Sequence, residues 1–286
     1  MKQIVCYGEV LWDMLPTGKK LGGAPLNVAL RMQSYGCSTK LISSIGKDDA
    51  GNAIVNQMKT YNAATEHLQV SENYASSEVL VTLNDEGSAS YEIKMPCAWD
   101  DIQLLEKDKI VVNSADAFIY GSLVARQQTS RETLFTLLKF SQFKVFDVNL
   151  RPPHYSMPLL KELMNLADLI KFNYDELLEI CQNYGFNSNE IMANIKFIAG
   201  ETKSKQICVT LGNKGAVLFM NGEFYSSTGF SVIVKDTVGA GDSFLATIVN
   251  ELLNGTKPHK AIDLACAMGA LVASKDGANP QISTNE

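Results

Sequence analysis

Short β-rich runs alternate with helical patterns along most of this chain, and that alternation limits the fold more than any other feature of the sequence. The runs 3–7, 40–44, 117–120, 144–147, 169–172 and 206–210 read as strands. Between them, 24–35, 50–61, 131–140, 175–184 and 243–253 place apolar residues at helical spacing. Such a succession predicts a central, mostly parallel sheet covered by helices on both faces, a three-layer α/β/α arrangement. The runs 216–220 and 224–226 flank Asn221-Gly222 and read as a hairpin. With 286 residues the chain has room for one large domain, or for a domain with an appendage.

One stretch departs from this rhythm. Residues 78–83, the polar Asn84-Asp85-Glu86-Gly87 and residues 90–94 form a second hairpin pattern, each arm partly alternating in polarity. That suits a small sheet with one wet face. Inserted into an α/β chain, such a hairpin is a lid or a surface ornament, and its periodicity fits both equally.

Charge narrows the partners. The formal net charge is −6 and the pI about 5.2, which argues against nucleic acid or an anionic membrane as the main partner, since both call for a basic surface. A phosphorylated ligand stays open, because helix N-termini or one lysine supply enough local positive potential. The six cysteines are scattered without a C-x-x-C pair, so the expectation is reduced thiols in a cytoplasmic protein. The apolar stretch at the N-terminus is too short for a signal peptide, and the run 261–273 is too short to span a bilayer. Three histidines far apart make histidine–metal chemistry a poor expectation.

Four places concentrate polar chemistry. In the first, Asp236-Thr237-Val238-Gly239-Ala240-Gly241-Asp242 leads into the helical pattern at 243–253. A glycine-rich turn opening a helix presents unpaired N–H groups and the positive end of the helix dipole, an anion site. Asp242 is placed to take a proton from a hydroxyl attacking a phosphate there. Taken alone, the segment equally reads as an N-cap aspartate on a tight loop. It is neither a Walker A loop nor a G-x-G-x-x-G fingerprint. In the second, Gly22-Gly23-Ala24-Pro25-Leu26-Asn27 starts a helix, and Asn27 either meets a polar ligand or faces solvent. In the third, Asn173 and Glu176 stand three apart at a strand-to-helix junction, a spacing that serves water-mediated Mg²⁺ binding or a capping box. In the fourth, Asp147, Asn149 and Arg151 alternate along an extended segment, lining a polar pocket or a wet loop.

Together and in this order, the motifs resemble the ribokinase-like, PfkB-type carbohydrate kinases. Gly22–Ala29 and Asp236–Asp242 match the two family signatures, and Asn173-x-x-Glu176 matches its magnesium–phosphate motif. Residues 209–215 match the nucleotide-side loop, and Gly277-Ala278-Asn279-Pro280 the segment near the adenine. Residues 8–13, 120–123 with 130–131, 147–151 and 91–100 are most similar to the fructokinase branch. The resemblance covers essentially the whole chain, so it implies a single kinase domain over 1–286, with a lid built from about 9–16 and 76–98. It implies an ATP-dependent sugar kinase, with fructose as the leading acceptor. Other acceptors within the family are 2-keto-3-deoxygluconate, ribose or a nucleoside, and a more distant reading is a non-catalytic sugar sensor.

The implied roles are these. Asp242 is the base, and the Gly239, Ala240 and Gly241 N–H groups hold developing charge. Asp13, Gly22, Gly23 and Asn27 meet the sugar, with Arg151 near sugar or phosphate. Asn173, Thr210, Gly212, Gly215, Gly277 and Ala278 serve the nucleotide. Glu176 holds Mg²⁺ through water, and Asp236 is a candidate for a monovalent cation such as K⁺. By analogy, the lid also pairs two subunits. Two departures stand out: Leu26 replaces a common alanine, and Gln281-Ile282-Ser283 lacks the second proline often seen after position 280.

Overall fold

The computed structural model describes residues 1–15, 18–83, 89–202 and 204–283, with the backbone alone for 81–83 and 89–91. Packing divides the chain into two units, one of Met1–Ala115 with Val124–Ser141, the other of Asp116–Leu123 with Gln142 onward.

The first unit holds β1 (Gln3–Tyr7), β2 (Leu11–Leu15), β3 (Gly18–Gly22), α1 (Ala24–Ser34), β4 (Ser38–Gly46), α2 (Asp49–Thr60) and β5 (Leu68–Ser71). It continues with β6 (Ser77–Leu83), β7 (Ala89–Ile93), α3 (Glu106–Ser114) and α4 (Gln128–Leu138). β1, β4 and β5 pair in parallel. α1 carries Pro25 in its first turn, where a missing N–H costs nothing, and buries Leu26, Val28 and Met32. Asp48 caps α2 by accepting from the Gly51 N–H at 2.7 Å.

The expected second hairpin is β6–β7, and it belongs to a four-stranded sheet in the order β3-β2-β6-β7. Leu11 and Val79 are buried there with Leu15 and Ile93 against them, while the neighbouring Leu80 is exposed, the one-dry-face pattern of period two. β3 lies outside the two segments expected to build a lid, and β2 meets β6 in parallel. Pro16, at the edge of the first of those segments, and the expected connection Asn84–Gly87 lie outside the described residues.

The second unit holds β8 (Ala117–Gly121), β9 (Lys144–Asp147), α5 (Met157–Leu166), β10 (Leu169–Asn173), α6 (Tyr174–Asn183) and α7 (Ile191–Thr202). β11 (Gln206–Thr210), β12 (Ala216–Met220), β13 (Glu223–Ser227), α8 (Ala240–Leu253) and α9 (Pro258–Ala273) complete it. β8, β9, β10 and β11 are parallel in that order, and β11, β12 and β13 form an antiparallel meander. The Asn221-Gly222 turn joins β12 to β13, with both residues at positive φ as a tight hairpin demands. Register pairs Tyr120 with Phe146, and their rings stack at 5.2 Å. The class is α/β, with mostly parallel strands and flanking helices, as the alternation predicts.

Candidate active site

The loop of the second unit that begins at Asp236 ends on Gly239, which sits at φ +77° and forms the N-cap of α8. A Cβ there would lie 2.5–2.7 Å from Ala278, so this turn has room only for glycine. Because the left-handed residue falls at 239, the helix begins at Ala240 rather than at the expected Ser243. Asp242 is therefore the third helical residue, and the alternative of an N-cap aspartate does not describe it. The first helical bond runs from the Ser243 N–H to Gly239 O at 2.9 Å, so the Gly241 N–H precedes it and looks outward along the dipole. The Ala240 N–H, expected among the anion donors, instead donates to Thr237 O at 3.3 Å. Asp236 clamps the loop: its carboxylate accepts from the Val238 N–H at 3.0 Å and from the Gly277 N–H at 3.1 Å.

This helix start opens on a cavity of about 600 Å³ whose lining lies wholly in the second unit. Thr210, Gly212 and Gly215 line it beside Ala240, Gly241 and Phe244. Gly215, at φ +90°, passes so close to the next strand that a Cβ would collide with Ser227 O. Three residues expected on the nucleotide are not among those that line this cavity. Gly277 and Ala278 meet the 236–242 loop through Asp236 and Gly239, and Asn173 caps α6. Sequence reasoning missed one wall of the cavity, formed by Cys266, Gly269, Ala270 and Ala273 of α9. Their spacing of three, four and seven on one helix is a legible signal, a stripe of small side chains that leaves space.

Charge collects at the ends of β9 and β10. Register sets Asp147 opposite Lys171, and the Lys171 ammonium donates to Asp147 Oδ1 at 3.0 Å with both side chains buried. Burial pulls the Lys171 ammonium down, but Asp147, Glu176 and Asp242 outweigh it, and its pKa rises. Both oxygens of Glu176 accept backbone N–H groups, from Leu150 at 2.9 Å and from Asn173 at 2.8 Å. Asn173 Oδ1 in turn accepts from the Glu176 N–H at 2.9 Å, which completes a capping box. Burial raises the Glu176 pKa, Lys171 pulls it back, and Asp147 adds to the rise. Among the described residues no three His, Cys, Asp or Glu side chains group to ligate an ion directly. Asp147 Oδ2 is buried without a hydrogen-bond partner, and with Glu176 it offers acceptors for a hydrated cation. The expected alternation of Asp147, Asn149 and Arg151 along an extended segment fails. β9 stops at Asp147 and Asn149 turns to φ +38°, which ends any two-residue repeat. Arg151 donates to Leu150 O at 2.9 Å.

In the first unit, β2 and β3 bring the expected sugar residues together. A Cβ on Gly22 would meet Asp13 Oδ2, so the missing side chain leaves the space the carboxylate uses. Gly23, at φ +110°, caps α1 and lies against Glu9 O. The Asn27 N–H donates to Gly23 O at 2.9 Å, and Asn27 is 5% exposed, which removes the solvent-facing alternative. Leu26 is buried in the core beside it.

Comparison with known proteins identifies the family and the fold. A family model described as pfkB family carbohydrate kinase matches residues 1–285. The probable fructokinase-7 of Arabidopsis thaliana is 29% identical over 310 residues, covering 97% of this chain and 88% of that one. The crystal structure of an uncharacterized sugar kinase from Pyrococcus horikoshii in complex with ATP aligns with a TM-score of 0.84 and 27% identity, over 96% of this chain and 94% of that one. A double-mutant fructokinase from Vibrio cholerae O395, solved with fructose, ADP and potassium ion bound, shares the fold with a TM-score of 0.83 and 24% identity over 98% and 94% of the two chains. No helix among the described residues is long and apolar enough to cross a membrane.

Proposed function

This chain belongs to the pfkB family of carbohydrate kinases, and from that premise we propose that it passes the γ-phosphoryl group of ATP to a primary hydroxyl of a free sugar, foremost the 6-hydroxyl of fructose. The observation that carries the proposal is the start of α8. It sets a carboxylate, Asp242, at the third helical position, next to Gly241, which itself lines a cavity of about 600 Å³. A new bond forms between the sugar oxygen and the γ-phosphorus, and the bond from that phosphorus to the β–γ bridging oxygen breaks. The hydroxyl proton goes to Asp242, and ADP leaves. The Gly239–Gly241 turn stabilises charge on the transferring group. Thr210, Gly212 and Gly215 hold the nucleotide, with Gly277 and Ala278 supporting it behind the 236–242 loop and Asn173 serving it from the start of α6.

Mg²⁺, which would neutralise charge between the phosphates, would be held through water by Glu176, with Asp147 beside it. A monovalent cation beside Asp236 belongs to the same proposal. Asp13, Gly22, Gly23 and Asn27 take the sugar hydroxyls, with Arg151 on the sugar or phosphate. The small sheet that contains Asp13 acts as the lid and as a surface for pairing two subunits. Sugar and ATP are the proposed partners, and the cytoplasm is the proposed compartment.

Two measurements test this. ADP release assayed across fructose, ribose, 2-keto-3-deoxygluconate and nucleosides identifies the acceptor, and sugar binding with no ADP from any of them sinks the reading. The Asp242→Asn variant is expected to lose at least ~10²-fold in kcat, the scale of a lost general base, while still binding sugar. Near-normal turnover in that variant removes Asp242 from the role.

A further inference from the structure

Lys171 has no part in the reading so far, yet its placement is unusual. It lies on β10, two residues before the helix cap Asn173, and is 6% exposed. An ammonium with three donors normally stays in water, and burying it in a paired state is seldom a gain in stability over an apolar side chain of similar size. Among the described residues its one hydrogen bond goes to Asp147 Oδ1. That bond leaves two N–H donors to account for and fixes the long side chain in one direction. The direction is toward the start of α8: a Cβ placed on Gly241 would lie 3.5 Å from Lys171 Nζ. The ammonium is thus a neighbour of the turn whose backbone is proposed to receive the transferring group. The cross-strand row explains how it gets there, since register puts Asp147, Lys171 and Cys208 opposite one another on adjacent strands.

We infer that Lys171 is a further catalytic residue of the transfer, its ammonium donating to the γ-phosphoryl oxygens from beneath the Gly239–Gly241 turn while Asp147 holds it in place. This rests on the kinase reading above. The chemistry is that of a fixed cation matched to three equatorial oxygens that gather charge as the γ-phosphoryl moves. Three carboxylates, those of Asp147, Glu176 and Asp242, act on this one ammonium. It keeps the proton acceptor and the incoming polyphosphate from simply repelling each other. A preorganised donor in a site shielded from water is worth most where charge develops, and removing one such donor elsewhere costs about 10²–10³-fold in turnover.

The test compares the full chain with Lys171→Met and Lys171→Arg. For each, kcat and both KM values are measured by ADP release, and Kd is measured for ADP and for a non-hydrolysable ATP analogue. Lys171→Met is expected to lower kcat at least ~10²-fold with the sugar KM within about threefold. It should also weaken the analogue at least ~10-fold more than ADP, because only the analogue carries a γ-phosphoryl group. Lys171→Arg keeps the charge but not the compact head, and it should recover part of both losses. Should Lys171→Met fail to fold, Lys171→Arg alone decides, through its ratio of analogue to ADP affinity. Turnover within threefold of the parent in Lys171→Met, or an equal loss of ADP and analogue affinity in either variant, overturns the inference. A parent protein that phosphorylates no sugar defeats the kinase reading instead, and the analogue-to-ADP ratio still reports on Lys171.

Discussion

A methyl group on Gly239 would meet both the backbone and the side chain of Ala278 at 2.5–2.7 Å, in a residue already at φ +77°. Two separate costs meet at that atom. A left-handed conformation with a Cβ costs roughly 1–2 kcal/mol, and forcing an extra carbon into a filled space costs typically another 1–3 kcal/mol. Gly239→Ala should therefore lower stability by about 2–5 kcal/mol, read as a drop in the urea midpoint at unchanged slope. Turnover should fall as well, since Asp242 rides on the helix that Gly239 starts. A variant with the parent's midpoint would mean that the 277–280 segment gives way freely. Asp236 makes that unexpected, because one carboxylate oxygen accepts from the Gly277 N–H while the other holds the loop through the Val238 N–H.

At the scale of elements, the cavity proposed for the nucleotide owes its volume to what α9 lacks. Cys266, Gly269, Ala270 and Ala273 present small side chains to it, across from Phe244 of α8. Ala270→Leu is expected to raise the KM for ATP at least ~10-fold, about 1.4 kcal/mol, and to leave the sugar KM within twofold, measured by steady-state ADP release. α9 also marks where the sequence stops being legible. Strands such as Lys144–Asp147 and Gln206–Thr210 fall where β-rich composition and flanking turns put them, because a buried parallel strand is a local signal. The stripe of small residues at 266, 269, 270 and 273 can be read from the sequence, but α9 is apolar on most sides, and only its packing shows that this stripe borders a cavity. The site divides in the same way. Asp242, the glycine turn and the Asn173–Glu176 junction are local motifs and were visible as such. The helix start came three residues early because only Ala278, distant in sequence, shows why Gly239 is the cap. Lys171 with Asp147 was invisible for a related reason. Their pairing depends on strand register, and no spacing rule along the chain links two residues on separate strands.

Over the whole molecule, the two proposed ligand sets fall largely on different units. The residues lining the cavity proposed for the nucleotide lie in the second unit, while Asp13, Gly22, Gly23 and Asn27 lie in the first. Hydrogen exchange should reflect this. Saturating ADP should slow amide exchange mainly within 206–283, and sugar alone mainly within 11–34, since a ligand at 100 times its Kd adds about 2.7 kcal/mol to what it binds. Uniform slowing by either ligand alone would contradict the assignment. The small-residue face of α9 has a further consequence, one for evolvability. The groups proposed for chemistry stand on the first turn of α8 and on β10, whereas the volume of the cavity proposed for the phosphoryl donor is set by short side chains on a different helix. A single substitution on that helix can reshape the donor pocket while every proton- and phosphate-handling group keeps its place. For this protein, a change of donor preference lies within reach of point mutation, and a change of reaction does not.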